Sequence, residues 1–115
     1  MGTRPDIAQA VGAVSKYCSN PTEAHKTAVK RILRYLKKTV KLAVKYCKDD
    51  KPLIGYSDAD WGGDLDDRRS TTGNVFLLAG GAVSWLSKKQ AVVALSTSEA
   101  GYMALSLAAQ EAMWF

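Results

Sequence analysis

One histidine, two cysteines, three prolines and no long apolar run set the first limits on this 115-residue chain. With His25 alone a histidine-rich metal site cannot be assembled, and no nucleophile–base constellation is visible, since His25 sits on a lysine-rich helix and reads as a surface or packing residue. Cys18 and Cys47 form no CxxC and have no paired histidines, so zinc is excluded on ligand count and free intracellular thiols are expected. No stretch approaches the roughly 18 uninterrupted apolar residues of a transmembrane helix. The opening MGTRPDIA has no apolar signal core, and Asp6 stands where myristoylation wants Ser or Thr. The expectation is an intracellular chain in cytoplasm or nucleus, neither secreted nor in a membrane. Hydrophobic residues at 47% and charged residues at 23% exclude whole-chain disorder and leave enough apolar surface for a core.

The net charge of +5 is unevenly placed. Residues 1–51 hold twelve Lys/Arg against four Asp/Glu, and residues 52–115 hold four against seven. A basic front half beside an acidic back half suits one polyanion-facing surface and one cation-binding surface, although such asymmetry also arises without function.

Two helices open the chain. In residues 4–18, Ile7, Ala10, Val11 and Val14 recur at helical spacing behind Pro5. The run Ser19-Asn20-Pro21-Thr22-Glu23 reads as a stop and restart, with Asn20 as cap, Pro21 first in the helix and Glu23 closing a capping box. The second helix, about 21–39, carries an apolar stripe of Val29, Ile32, Leu33, Leu36 and Val40. Beside it Lys26, Lys30, Arg34, Lys37 and Lys41 fall within roughly 80° of arc. Such a row either tracks a phosphate backbone or is a solvated face.

Strand-like text follows in Leu42–Tyr46 and Leu53–Ser57, then a loop over 58–73 and a third strand at Asn74–Ala79. Gly80-Gly81 reads as a two-residue hairpin turn into Ala82–Leu86, and Ala91–Leu95 as an extension or short strand. Ser96 and Glu99 form a capping box ahead of an alanine-rich helix that runs into Trp114 and Phe115. An ending in helical text reads as a piece of something longer. The fold class expected is α+β, with two N-terminal helices, a three-stranded antiparallel sheet and a C-terminal helix.

Asp58, Asp60, Asp64, Asp66 and Asp67 follow the second of these strands. A carboxylate at a strand end, joined by others, is how proteins hold Mg²⁺ for phosphodiester chemistry. For Asp64, Asp66 and Asp67 an ordinary turn role is preferred. The run DADWGGDLDDRR lacks the glutamate that closes an EF-hand loop.

The segments RPDIAQAV, KRILRYLKKT, GYSDADW, RRSTTG, SWLSKKQ and STSEAGYMAL together resemble the polyprotein of copia-type LTR retrotransposons. The match covers nearly the whole chain. It implies that residues 1–47 are the helical tail of a reverse transcriptase and 48–115 the N-terminal part of a truncated RNase H-like domain. The implied activity is Mg²⁺-dependent hydrolysis of RNA in RNA–DNA hybrids by four carboxylates on two metal ions. The first corresponds to Asp58. The second is a helix glutamate, in the family text STTEAEYMAL, where this chain has Gly101. The other two are expected beyond residue 115.

Glu99 is a poor substitute, because two residues along a helix is about 200° of rotation. A vestigial site at Asp58 is therefore expected, with no tightly bound Mg²⁺ and no hydrolysis. Lys26 stands where the family commonly has tryptophan, which puts the packing of the first two helices in question. The partners expected are nucleic acid (hybrid or duplex, weakly, through the five cations) and either a second copy or the rest of a polyprotein. The competing reading is a non-enzymatic nucleic-acid-binding or interaction module.

Overall fold

The computed structural model describes residues 2–115 and divides into two compact units, the first ending at Val44 and the second running Lys45–Phe115. The first is α-helical and the second α+β, and the described residues together form an α+β chain with three α-helices and one three-stranded sheet.

In the first unit a short 3-10 turn, Pro5–Ile7, leads into α1 (Ala8–Ser15), and α2 spans Glu23–Lys38. Pro5 occupies a first-turn position, where its missing N–H costs nothing. A polar knot ties the chain start to the end of α2. Arg4 donates to both Asp6 oxygens at 2.9 and 3.0 Å and to the Thr39 side chain at 2.8 Å, and the Tyr35 hydroxyl donates to Asp6 at 2.6 Å. The Arg4 and Tyr35 hydrogen bonds hold the Asp6 carboxyl well below the usual carboxylate range, and Asp6 in turn pushes the Tyr35 hydroxyl up.

The start of α2 differs from the sequence expectation. Its N-cap is Thr22, not Asn20, and Pro21 lies outside the helix. Asn20 is drawn into the turn closing α1, its N–H reaching the Tyr17 carbonyl at 3.2 Å. His25, at the position usually held by Glu or Gln, accepts from the Thr22 N–H through Nδ1 at 2.9 Å and stacks on Tyr17 at 3.9 Å between centroids. The lone histidine is thus a capping and packing residue.

The second unit is an antiparallel sheet in the order β1 (Ile54–Ala59), β2 (Thr71–Leu78), β3 (Gly81–Lys89), followed by α3 (Thr97–Ala112). No strand forms at Leu42–Tyr46. The segment instead meets the hairpin through the Cys47 N–H on the Ala79 carbonyl at 2.8 Å and the Tyr46 hydroxyl on the Ala82 carbonyl. The hairpin turn is Ala79-Gly80 rather than Gly80-Gly81, since Leu78 pairs with Gly81. Both turn residues take positive φ, 54° and 77°, as a type I′ turn requires. Gly81 is needed elsewhere: a Cβ there would lie 2.8 Å from the Tyr46 ring. Ala91–Leu95 is irregular, not a strand.

Alternation along β2 buries Thr72, Asn74 and Phe76 on one face. Against that face lie Ala100, Ala104 and Ala108, whose four-residue spacing lets α3 approach the sheet closely. The interior is unusually polar. Gln90 is 5% exposed and donates to Thr72 at 2.9 Å and to the Ala100 carbonyl at 3.0 Å. Ser96 caps α3 by accepting from the Glu99 N–H at 3.1 Å, while the Glu99 carboxylate accepts from Leu95, one residue before the cap. Glu99 is thereby engaged at the helix start, near the capping-box role expected of it.

Candidate nucleic-acid interface and carboxylate region

Asp58 sits in β1 opposite Gly73, exposed, with one oxygen accepting from the Ala59 N–H at 2.8 Å. Strand alternation puts Ser57 and Ala59 on the side of Asn74 and Thr72, which α3 covers, and Asp58 on the opposite face. Gly101 lies in α3, exposed, with open space where a Cβ would be. The sheet therefore separates Asp58 from α3, and the α3 position itself carries no side chain.

Three further aspartates of the 60–70 loop serve the backbone. Asp60 accepts from the Thr71 N–H, Asp64 from Asp66 at 2.9 Å, and Asp67 from Arg69 at 3.0 Å. Lys89 from β3 bridges Asp64 and Asp67, its ammonium lying 3.0 Å from Asp64. The Lys89 hydrogen bond holds Asp67 below its ordinary value, and Asp67 and Asp64 raise Lys89. Asx turns of this kind explain why aspartate recurs here. Among the described residues no three His, Cys, Asp or Glu side chains converge as metal ligands. Asp58 lies on the sheet face away from α3, while Asp60, Asp64 and Asp67 are engaged in turns or with Lys89.

The basic face is better formed. Lys26, Lys30, Arg34 and Lys37 lie exposed along α2, and Lys41 lies exposed just past its end. Arg31 and Lys38 are exposed as well and widen the row on its far side. Sequence reading passed over these two because it selected a narrow stripe; a full helical projection brings all seven within roughly 140° of arc. Lys26 pairs with Glu23 at 3.1 Å, a solvent-exposed contact that an incoming anion can displace. Only part of the apolar stripe is covered: Ile32 and Leu36 are half-buried, while Val29, Leu33 and Val40 remain exposed.

No family model and no solved structure matches the chain. Three relatives are informative. The chain is 54% identical over 113 residues to the secreted RxLR effector protein 161 of Plasmopara viticola, covering 97% of this chain and 80% of that protein. It is 51% identical over 112 residues to the retrovirus-related Pol polyprotein from transposon TNT 1-94 of Nicotiana tabacum, and 44% over 113 to that from transposon RE1 of Arabidopsis thaliana.

The chain belongs to the family of the Plasmopara protein, and it is similar over nearly its whole length to a segment of the transposon Pol polyproteins.

It spans 8% of each of those two Pol polyproteins, against 80% of the Plasmopara protein. The retrotransposon resemblance of the sequence motifs thus holds at the level of a Pol polyprotein segment. Among the described residues no helix is long and apolar enough to cross a membrane.

Proposed function

We propose that this Pol segment is the junction of a copia-type reverse transcriptase and its RNase H domain, and that it holds nucleic acid without hydrolysing it. The observation that carries this reading is the cationic face of α2, where Lys26, Lys30, Arg31, Arg34, Lys37 and Lys38 are exposed with Glu23 as the one acidic residue of the helix. A helix so charged gains binding free energy by releasing the counterions condensed on a polyanion, whatever its sequence. Hydrolysis by two metal ions needs several converging carboxylates. Asp58 and Gly101 do not supply them, so Asp58 is a vestige and no Mg²⁺ is held tightly.

A salt titration against an RNA–DNA hybrid and a DNA duplex tests the reading. The expected slope of log K against log salt is about −4 to −5 if five cations touch phosphates, and about −6 if seven do. A slope near zero would reduce the row to a solvated face. The remaining partner is a second copy of the chain or the rest of a Pol polyprotein, because large apolar side chains stand exposed in the second unit. The two exposed, free cysteines suit an intracellular setting. The Plasmopara relative is named as secreted. Fractionation of the source cells decides the compartment, with recovery in the medium overturning it.

A further inference from the structure

We infer that the groove between α1 and α2 receives an unstacked base of a single-stranded nucleic acid, so that the basic face holds a single strand more tightly than a duplex. This rests on the phosphate-binding reading of α2 and makes it more specific. The groove encloses about 360 Å³, within the size range of small-molecule sites, and its walls are Val14, Tyr17, Pro21, His25 and Val29. Lys26 and Lys30, the first two cations of the α2 row, stand at the same groove. Tyr17 and His25 present a stacked aromatic pair there, 3.9 Å between centroids and 14° between planes.

The combination selects the occupant. The charged side chains lining the groove are both cations, which favours an apolar group that arrives attached to an anion. A nucleobase on its phosphate has that construction: a flat aromatic body for the groove and a negative charge for the rim. A base in a duplex is stacked between its neighbours and has no face to offer. Proteins that hold single strands pair a cationic track with aromatic platforms in this way. The row running on from Lys30 through Arg34 to Lys37 then carries the phosphates that follow the inserted base.

The test uses the full chain and a short DNA oligonucleotide bearing 2-aminopurine, as a single strand and as its duplex, at one salt concentration. The expected result is saturable quenching of the single strand and about tenfold tighter binding of it than of the duplex. Tyr17→Leu should lower single-strand affinity by about tenfold and leave duplex affinity unchanged. Val29→Met, which extends an aliphatic chain into the groove from an exposed position, should do the same without removing a packing residue or adding an aromatic platform. Equal affinity for both forms with an unquenched probe would overturn the base site while leaving the phosphate-binding reading intact. Failure of both forms to bind at low salt would overturn the two together.

Discussion

Gly101 carries two separate consequences. In the interior of α3 it has full conformational freedom in the unfolded chain, and its added Cβ would meet open space. Gly101→Ala should therefore stabilise the second unit by about 0.5–1 kcal/mol, read from chemical denaturation. Gly101→Glu should gain nearly as much stability and still produce no nuclease activity, since Asp58 remains on the other face of the sheet. Gln90 is the opposite case: it is buried and bonded to Thr72 and Ala100, and Gln90→Ala should cost about 1–3 kcal/mol by orphaning the Thr72 hydroxyl. Asp6 sets a pH dependence. Its folded-state pKa is depressed by Arg4 and then Tyr35, so its contribution is complete above the ordinary carboxylate range, near pH 4, and is lost as pH falls further. Circular dichroism of the first unit's helices should show acid loosening below about pH 4 that Asp6→Asn abolishes by removing it at every pH.

At the scale of elements, what the sequence made legible depended on how local the deciding interaction was. The three long-patterned elements, α2, the β2–β3 hairpin and α3, were readable because periodicity and Ser96 capping act within a few residues. The α2 start was misplaced by two residues because an unusual His25 cap, stabilised by stacking on Tyr17, outcompeted the Asn20 box. The turn was displaced by one residue because Gly81 is consumed by contact with Tyr46, which is distant in sequence. Leu42–Tyr46 has strand propensity but no ladder partner, and propensity without a partner does not make a strand. For the candidate site, five of the seven cations were legible from spacing, whereas the face occupied by Asp58 depended on the sheet register. At this scale Arg34→Glu with Lys37→Glu should weaken nucleic-acid binding by about tenfold or more at low salt and shift the slope toward zero by about two. Thermal unfolding should barely change, because both positions are exposed.

The whole molecule has little apolar interior for its composition. Among the described residues the buried hydrophobic ones are Phe76, Ala94, Ala100, Ala104 and Ala108, while Leu95, Tyr102, Met113 and Trp114 are each more than 70% exposed. Both outer strands, β1 and β3, also keep one edge without a strand neighbour among the described residues. Sedimentation at tens of micromolar should therefore show self-association, most simply a symmetric dimer. A monodisperse monomer with a cooperative melt would contradict that. Nucleic-acid retention without turnover is the central claim, and a single incubation tests it: labelled RNA–DNA hybrid with the purified chain and Mg²⁺ or Mn²⁺, divided between a native and a denaturing gel. The account requires a retarded band on the first and intact RNA on the second. RNA cleavage that disappears with Asp58→Asn, or a hybrid that is never retarded at low salt, would contradict it.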